Sequence, residues 1–412
     1  MSQTLRTAAD IARRFPHLPK TYIAAVAEYD RDKRFGVSEE MLDYMLKDGQ
    51  GVPLFSDPVA RQYWPFPELL QSKTERAYGE SDNWEMPEDY PIPENNNWQW
   101  KYSDRIVWRE NACKEICAYC FEANRVLLRS KPKPRKEDWP EGIAFIREHP
   151  EIREVIFSGG EPLIVPDFLL ERRLAELRSI PHIKSIRIHT ARGKHDTSRL
   201  SEDFVALCNR FAVTEIALHI LHPRQVTERF RAAMERLAKG HGTMLRAAHI
   251  PILRGVNDET PVLMELCEKL VLCGVRPYYF LLEMPPTSGM HKERLSVHRM
   301  VKIVRPLVGR SFSHMMTAEP IIVARGGKKT IPMDRTHFML SPLEVTDQMV
   351  WSIDNKKVPL KNFGTKTVYD RRFEVFGFFG TPDFIYSHYQ GRPVVVFKNW
   401  KGEWEMYPDA AD

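Results

Sequence analysis

The amino-acid sequence predicts an α/β fold in which parallel strands are covered by helices on the outside. Strand and helix signals alternate from about residue 105 to about residue 283 of the 412-residue chain, and each strand is a short apolar run. The candidate strands are residues 105–108, 154–158, 185–190, 215–219, 245–251 and 276–282. Repeated strand-helix units of this kind imply parallel strands with the helices packed outside them.

The helices between these strands carry recognisable start and stop residues. Thr227 is an N-cap candidate for a helix over residues 228–239, which Gly240 follows. Thr260 and Pro261 open a second helix, which Gly274 is suited to close.

Two extensions flank this core, which we place at residues 101–310. Residues 1–100 carry helical signals, including Ser38 as an N-cap candidate, and end in a loop rich in Pro, Trp and Asn that we expect to pack on the core. Residues 311–412 contain a glycine-rich loop and then short β-rich runs at 375–379, 384–388 and 393–398. These runs predict a small antiparallel sheet that serves as a lid or an interface.

Three cysteines, Cys113, Cys117 and Cys120, lie in one loop with C-x3-C-x2-C spacing. A closed zinc site needs four ligands, and the other cysteines lie far along the chain in helix-like segments. Three thiolates can instead hold three irons of a [4Fe-4S] cube and leave the fourth iron open to a ligand. A fragment of a zinc knuckle and three buried thiols are the alternatives.

A second motif follows the cysteines, where an apolar strand runs into a turn formed by Ser158, Gly159, Gly160 and Glu161. Glycines allow the backbone to approach a ligand closely. Together, the two motifs resemble the radical S-adenosylmethionine (radical SAM) enzymes, whose open iron chelates the amino and carboxylate groups of SAM. The resemblance implies that the turn faces the SAM ammonium and that the cluster cleaves SAM to a 5'-deoxyadenosyl radical. It also implies a partial (β/α)6 barrel with the active site at the C-terminal strand ends.

Further motifs resemble the lysine 2,3-aminomutase family within the radical SAM superfamily. They are Tyr102-Ser103-Asp104-Arg105, His149-Pro150-Glu151-Ile152-Arg153, His219-Ile220-Leu221-His222-Pro223 and Leu253-Arg254-Gly255-Val256-Asn257-Asp258 followed by Arg276-Pro277-Tyr278-Tyr279. The resemblance implies an isomerase that uses the SAM radical with pyridoxal 5'-phosphate (PLP) to move an amino group between the α and β carbons of an amino acid. We expect His219 and Arg105 among the cofactor-binding residues. Arg105 would contact the PLP phosphate, and pairing with Asp104 is its structural alternative.

In this family, the lysine that holds PLP ends a glycine-rich loop. The corresponding stretch is Ala324-Arg325-Gly326-Gly327-Lys328-Lys329-Thr330-Ile331-Pro332, in which Lys329 is the first candidate and Lys328 the second. A basic surface turn is the alternative interpretation of this stretch.

Several family residues are replaced, which predicts a substrate other than free lysine. The family's arginine for the substrate carboxylate, two residues after the last cysteine, is Glu122 here, and Arg125 is a candidate replacement. The acids that would hold a lysine side chain correspond to Glu283 or Met284 and to Ala324 or Arg325.

The composition fits a cytoplasmic enzyme with a small-molecule amino acid substrate. The net charge is only +5, with 60 basic and 55 acidic residues intermixed, so neither a nucleic-acid nor a membrane partner is expected. There is no signal peptide and no long apolar run, and the clustered cysteines suit a reducing compartment. We expect a reductant such as flavodoxin or ferredoxin, and a homo-oligomer is compatible with the sequence.

Two other functions remain open at this stage. One is a PLP-free radical SAM enzyme that abstracts hydrogen for epimerisation, dehydrogenation or rearrangement. The other is a non-catalytic protein that binds a metal cluster.

Overall fold

The structure is a computed structural model. It describes residues 4–32, 34–69, 91–92, 95, 97–120, 122, 137–194, 196–282, 294–310, 318–324, 327–331, 349–351, 357–359, 374–378, 381–389, 392–398 and 404–408. No helix in these ranges is long and apolar enough to cross a membrane.

A mixed sheet of nine described strands forms the centre of the molecule, with its strands in sequence order. The strands are β3 (Trp98–Tyr102), β4 (Arg105–Glu110), β5 (Glu154–Gly159), β6 (Ser185–Thr190), β7 (Glu215–His219), β8 (Leu245–Pro251), β9 (Arg276–Leu282), β10 (Glu319–Ala324) and β11 (Gly327–Thr330). Strands β4 to β10 pair in parallel, and β3 and β11 pair antiparallel at the two edges. A two-stranded sheet of β1 (Thr4–Leu5) and β2 (Val37–Ser38) precedes it.

The six predicted strands are therefore confirmed, and three further strands join the same sheet. β3 occupies part of the segment that we predicted as a loop, and β10 adds a seventh parallel strand. The domain boundaries stay predictions, although the sheet itself continues past residue 310 to β11.

Helices follow the parallel strands, as the alternation predicts. The described helices are α1 (Ala8–Arg14), α2 (Lys20–Asp32), α3 (Glu39–Tyr44), α4 (Asp138–Glu148), α5 (Asp167–Arg178), α6 (Glu202–Arg210), α7 (Glu228–Ala238), α8 (Thr260–Leu272) and α9 (Val297–Val304). Thr227 caps α7 by accepting a hydrogen bond from the Phe230 amide at 3.2 Å. Ser38 caps α3, and Gly274, with φ of +68°, ends α8.

The sheet curls into a partial barrel. Side chains at the ends of β5, β6, β7, β8 and β9 line one cavity, which a flat sheet would not allow. At the opening of the barrel, the Lys328 amide of β11 donates a 3.3 Å hydrogen bond to the hydroxyl of Tyr102 in β3. The two edges of the sheet are therefore joined by a side chain instead of a strand ladder.

Two large hydrophobic cores hold the described elements together. The larger core lies between the sheet and its helices and includes Trp98, Trp108 and Trp139, whose rings are 4.9 to 5.1 Å apart. The smaller core belongs to the N-terminal helices and includes Trp64 and Phe15. It extends to Cys117 and Ala118, so the N-terminal extension packs on the cysteine loop.

The C-terminal residues form a separate six-stranded sheet in the described ranges, in the order β13-β12-β17-β16-β15-β14. Its strands are β12 (Met349–Trp351), β13 (Lys357–Pro359), β14 (Glu374–Phe378), β15 (Thr381–Tyr389), β16 (Arg392–Lys398) and β17 (Trp404–Pro408). The predicted antiparallel runs are confirmed as β14, β15 and β16, whereas β12 and β17 pair in parallel. The role of this sheet as a lid or an interface stays a prediction.

Gly142 in α4 tests how tightly the tryptophan core is packed. A Cβ at this position would overlap the indole ring of Trp98. Alanine normally stabilises a helix relative to glycine by about 1 kcal/mol, but here we expect Gly142→Ala to lower the free energy of unfolding by about 2 kcal/mol because the core must expand. Denaturant unfolding followed by tryptophan fluorescence measures the change. Gly49→Ala, whose Cβ would meet no atom within 4 Å, is the control and should be nearly neutral; equal stability of the two variants would contradict the prediction.

Candidate functional site

A cavity of about 250 Å³ opens at the C-terminal ends of the parallel strands. It gathers most of the site residues that the sequence predicted. The predicted residues that line it are Cys113, Cys117, Cys120, Ser158, Gly159, Gly160, Glu161, His219 and Lys328. Residues separated by more than 200 positions therefore meet in one place, because successive parallel strands end on the same side of the barrel.

The Gly159-Gly160 turn lies directly against the start of the cysteine loop. Gly159 has φ of +89°, which favours glycine, and the Gly160 amide donates a 2.6 Å hydrogen bond to the Glu110 carbonyl. A Cβ at Gly160 would lie 2.5 Å from the carbonyl oxygen of Ala112. The glycines are thus required by the approach of the turn to the protein backbone, in addition to any approach to a ligand.

Glu161 fixes the other side of this turn. Its buried carboxylate accepts hydrogen bonds from the Thr190 hydroxyl at 2.6 Å, the Ala191 amide at 2.9 Å and the Leu163 amide at 3.1 Å. Burial raises the pKa of Glu161, and the nearby Arg192 opposes that rise. The carboxylate therefore ties the turn after β5 to the loop after β6.

The three cysteines of the loop are free thiols that reach the cavity. Burial raises the pKa of Cys113 and Cys120 well above the usual range, and neighbouring carboxylates and thiols raise it further. Thiolates in such a place need a bound cation to be stable. The donor set therefore fits three irons of a cluster, whose charge would compensate the thiolates.

Cationic side chains lie behind the cysteine loop. Arg192 bonds Glu115 at 3.2 Å, with both side chains only 5% exposed. The Lys194 ammonium donates a 2.8 Å hydrogen bond to the Tyr119 hydroxyl and lies 5.3 Å from the centre of the Tyr63 ring. Burial lowers the pKa of Lys194. Sequence reasoning missed these residues because no short motif links the loop after β6 to the cysteine loop.

The N-terminal extension holds the cysteine loop through backbone contacts. The Ile116 amide donates to the Gly36 carbonyl at 3.0 Å, and the Ala118 amide donates to the Gln62 carbonyl at 2.8 Å. The Arg6 guanidinium donates to the Lys114 carbonyl at 2.9 Å. The loop is therefore positioned on both sides, by the extension and by the glycine turn.

Lys328 supplies an amine to the cavity from the edge strand β11. Its Nζ lies 4.3 Å from the centre of the Tyr279 ring. Protein atoms surround this amine although cavity solvent can reach it, and burial, with a smaller effect of Arg187, lowers its pKa to about 8. The side chain of Lys329, our first candidate, lies outside the described part of the structure.

Arg105 lies at the start of β4 and does not line this cavity. Its Nε is 2.9 Å from Asp104 and 3.7 Å from Glu154, and its guanidinium lies 4.9 Å from the centre of the Tyr102 ring. The pairing with Asp104 is the structural alternative stated for this residue. A contact between Arg105 and a phosphate stays a prediction.

Three histidines on adjacent strands form a group that the sequence analysis did not identify. The possible ligand atoms of His189, His219 and His249 all lie within 4.8 Å of one another. Burial lowers the pKa of His219 to about 3, and it lowers the pKa of the other two well below the usual range. Each histidine stands near the C-terminal end of a predicted strand, which is the signal that could have revealed the group.

Glu122, which replaces the family's arginine, reaches the cavity already paired. The Arg109 guanidinium lies 3.3 Å from its carboxylate and also bonds Gln99. The other replaced positions give no side-chain information, because Arg125, Glu283, Met284 and Arg325 lie outside the described residues and only the backbone of Ala324 is described.

Comparisons with known proteins agree with this site. Residues 111–267 match the model of the Radical SAM superfamily. The L-lysine 2,3-aminomutase of Clostridium subterminale is 29% identical over 76% of this chain and 70% of its own. That of Escherichia coli is 36% identical over 43% of this chain and 52% of its own, so the chain spans only about half the length of some of these relatives.

A solved structure of coproporphyrinogen III oxidase (HemN) from Escherichia coli, a radical SAM enzyme, covers 73% of this chain and 68% of its own. Its identity is 10% and its TM-score 0.34, too low to support a conclusion. The sequence comparisons confirm the resemblance drawn from the motifs: the chain has a radical SAM domain and is related to the lysine 2,3-aminomutases. The radical SAM family implies a [4Fe-4S] cluster and SAM.

Gly36 tests whether the N-terminal extension stabilises the cluster loop. A Cβ at Gly36 would lie 2.8 Å from the Lys114 carbonyl oxygen, so Gly36→Ala must push the loop away. We expect a loss of about 1 kcal/mol in loop stability, hence about fivefold faster release of iron to a chelator. Iron release is followed by absorbance under anaerobic conditions. Gly49→Ala is the matched control, and the same release rate in both variants would contradict the prediction.

Proposed function

We propose that this radical SAM enzyme, a divergent member of the lysine 2,3-aminomutase family, moves an amino group between the α and β carbons of an amino acid other than free lysine. It would do so with a [4Fe-4S] cluster, SAM and PLP. The observation that carries the proposal is that the cysteine loop, the glycine turn and the amine of Lys328 line the same cavity. A radical generator and a PLP site must be this close, because the substrate has to meet both.

The cysteine loop and the glycine turn are the proposed sites for the cluster and SAM. Cys113, Cys117 and Cys120 would hold three irons, and the backbone of Ser158 to Glu161 would face the SAM ammonium. The cluster, reduced by a protein such as flavodoxin or ferredoxin, would supply the electron that splits SAM into methionine and the 5'-deoxyadenosyl radical, which abstracts hydrogen. Glu161 would keep the turn in place, since its carboxylate is engaged by three donors.

Lys328 is the proposed lysine for PLP. An amine binds an aldehyde only in its neutral form, and the lowered pKa of Lys328, about 8, makes that form accessible near neutral pH. Adjacent positions of a strand face opposite sides of a sheet, so β11 presents one of its two lysines to the cavity. The amine of Lys328 is described there, which favours it over Lys329.

The charges of the described cavity support a substrate other than lysine. Glu115 is paired with Arg192, Glu122 is paired with Arg109, and Glu161 accepts three hydrogen bonds. A cationic substrate side chain would therefore compete with existing partners for every acid that lines the described cavity. Burial of a cation without its own partner is costly.

A PLP-free radical SAM enzyme is the second candidate. One observation favours it: Arg105, the residue expected at the PLP phosphate, is paired with Asp104 and lies outside the cavity. Such an enzyme would use the same cluster and SAM sites to abstract hydrogen, and Lys328 would then act as a base or as a charge partner.

Cys117→Ala tests the cluster assignment. With only two thiolates left on the loop, the protein should lose its visible iron-sulfur absorbance and should form no 5'-deoxyadenosine from SAM. Iron content, the anaerobic spectrum and chromatography of SAM products measure this. Cys273→Ala changes a thiol in the cap of α8 and should retain both properties. Full iron content in Cys117→Ala would contradict the cluster assignment. A non-catalytic protein that binds a metal cluster would then be the alternative to test.

A pair of adjacent variants tests the PLP lysine. We expect Lys328→Ala to lose the PLP that borohydride fixes to the protein, and Lys329→Ala to retain it, while both keep the cluster because the two cofactors have separate anchors. Mass spectrometry of reduced peptides reads the attachment site. The opposite pattern would assign Lys329, and absence of fixed PLP from the unmodified protein would favour the PLP-free enzyme.

A panel of amino acids tests the substrate. SAM cleavage coupled to turnover should be at least about tenfold greater with neutral or anionic side chains than with lysine, which corresponds to a difference of about 1.4 kcal/mol. Arginine, glutamate, alanine and lysine form the panel, and the products are separated by chromatography. Efficient formation of β-lysine would contradict the prediction.

A further inference from the structure

Three imidazoles converge inside the barrel. His219 in β7 is the direct pairing partner of His249 in β8, and His189 in β6 pairs with Ala217, two positions before His219. The strands are about 4.8 Å apart, so side chains on one face of adjacent strands are neighbours. Ala217 has only a methyl side chain, which leaves room beside His189. His189 and His219 both line the cavity.

Two ring nitrogens in this group have no hydrogen-bond partner among the described residues. They are the Nε2 atoms of His189 and His249, which are both buried, and the His249 side chain as a whole is only 2% exposed. Buried polar atoms are nearly always hydrogen-bonded, and an exception indicates a bound water or ion. The ring of His219 stacks on that of His249 with 5.8 Å between the ring centres. The ligand atoms of all three histidines therefore face the same space.

The surrounding charges permit a cation at this place. Arg187 lies one layer below His189 on the same strand, and its charge is compensated by Glu215 at 2.6 Å and Glu154 at 3.7 Å. Tyr278 and Tyr279 flank His249 with rings 5.8 and 5.3 Å away, and the amine of Lys328 lies over Tyr279. The charge of Arg187 is thus compensated, whereas the Lys328 amine, whose pKa burial lowers to about 8, opposes a cation here only while it is protonated.

We propose that His189, His219 and His249 bind one divalent transition-metal ion, such as Zn²⁺ or Fe²⁺, in the floor of the cavity. Imidazole is a preferred ligand for these ions, and three protein ligands with an open position are typical of catalytic zinc sites. The open position faces the cavity, where it takes an anionic oxygen, such as the carboxylate of a bound amino acid. This second metal site is distinct from the cysteine loop and does not depend on PLP.

Binding requires a small adjustment of the rings. At metal-nitrogen distances of about 2.1 Å in a tetrahedral site, ligand nitrogens are about 3.4 Å apart, whereas the present atoms are within 4.8 Å. The ligand nitrogens need to move by only about 1 Å toward their common centre. Rotation of the side chains provides a movement of this size without any movement of the strands.

The test uses zinc with the cluster-loaded protein, without PLP. After incubation with excess Zn²⁺ and gel filtration, we expect about one retained zinc per chain. X-ray absorption at the zinc edge should show nitrogen or oxygen neighbours at about 2.0 Å and no sulfur at about 2.3 Å. The absence of sulfur separates this site from zinc captured by cysteines.

Matched histidine variants complete the experiment. His189→Ala and His249→Gln should each retain less than a tenth of the zinc while keeping their iron, which shows that the fold and the cluster site persist. His17→Ala, which changes an exposed histidine near α1, should bind zinc as the parent does. The proposal is overturned if the parent retains no zinc, if sulfur neighbours appear, or if either triad variant retains zinc as the parent does. None of these outcomes bears on amino-group transfer, which is tested separately with PLP.

Discussion

The close approach of the Gly159-Gly160 turn to the backbone of β4 and Ala112 is the constraint on which the site depends. A Cβ at either glycine would lie within 2.7 Å of backbone or side-chain atoms of Arg109 or Ala112. The turn therefore fixes where the cysteine loop begins, three residues after β4 ends. Glu161 extends this constraint to the loop after β6, and the N-terminal extension meets the cysteine loop from the other side. Three separate parts of the chain thus position the same eight residues.

Polar side chains line part of the barrel interior, whereas the apolar side chains of the strands pack into the larger core. In β6, Ile186, Ile188 and Thr190 are buried on one face of the strand. Arg187 and His189 alternate with them and lie on the opposite, inner face. The ion pair of Arg187 with Glu215 lies below the histidines. Buried ion pairs contribute little net stability because desolvation offsets their attraction. A polar interior therefore contributes less stability than an apolar one would.

The sequence predicted the elements of the fold better than it predicted the contents of the site. The six parallel strands were predictable because each is a short segment of strand length that carries apolar residues and is followed by turn or helix signals. β10 was missed because its apolar run is short and precedes the glycine stretch, and β3 because an edge strand rich in Trp and Gln lacks such a run. The cysteines and the glycine turn were predictable because each lies within one short segment. The histidine group was not, because the register between strands is a tertiary property that no single segment contains.

The two adjacent lysines of β11 show again that strand register cannot be predicted from a single segment. From the sequence, the position relative to the glycine-rich loop favoured Lys329. The face of the sheet on which each lysine lies is decided by strand pairing. In the structure, Lys329 pairs with Ile322 and Lys328 pairs with Val323. A shift of one residue in this register would exchange the two faces. The amine in the cavity is therefore set by the hairpin of β10 and β11, and the 3.3 Å contact between the Lys328 amide and Tyr102 holds that hairpin against β3. The register of the hairpin thus decides which amine reaches the cavity, and the contact with Tyr102 joins the two edges of the sheet at the same residue.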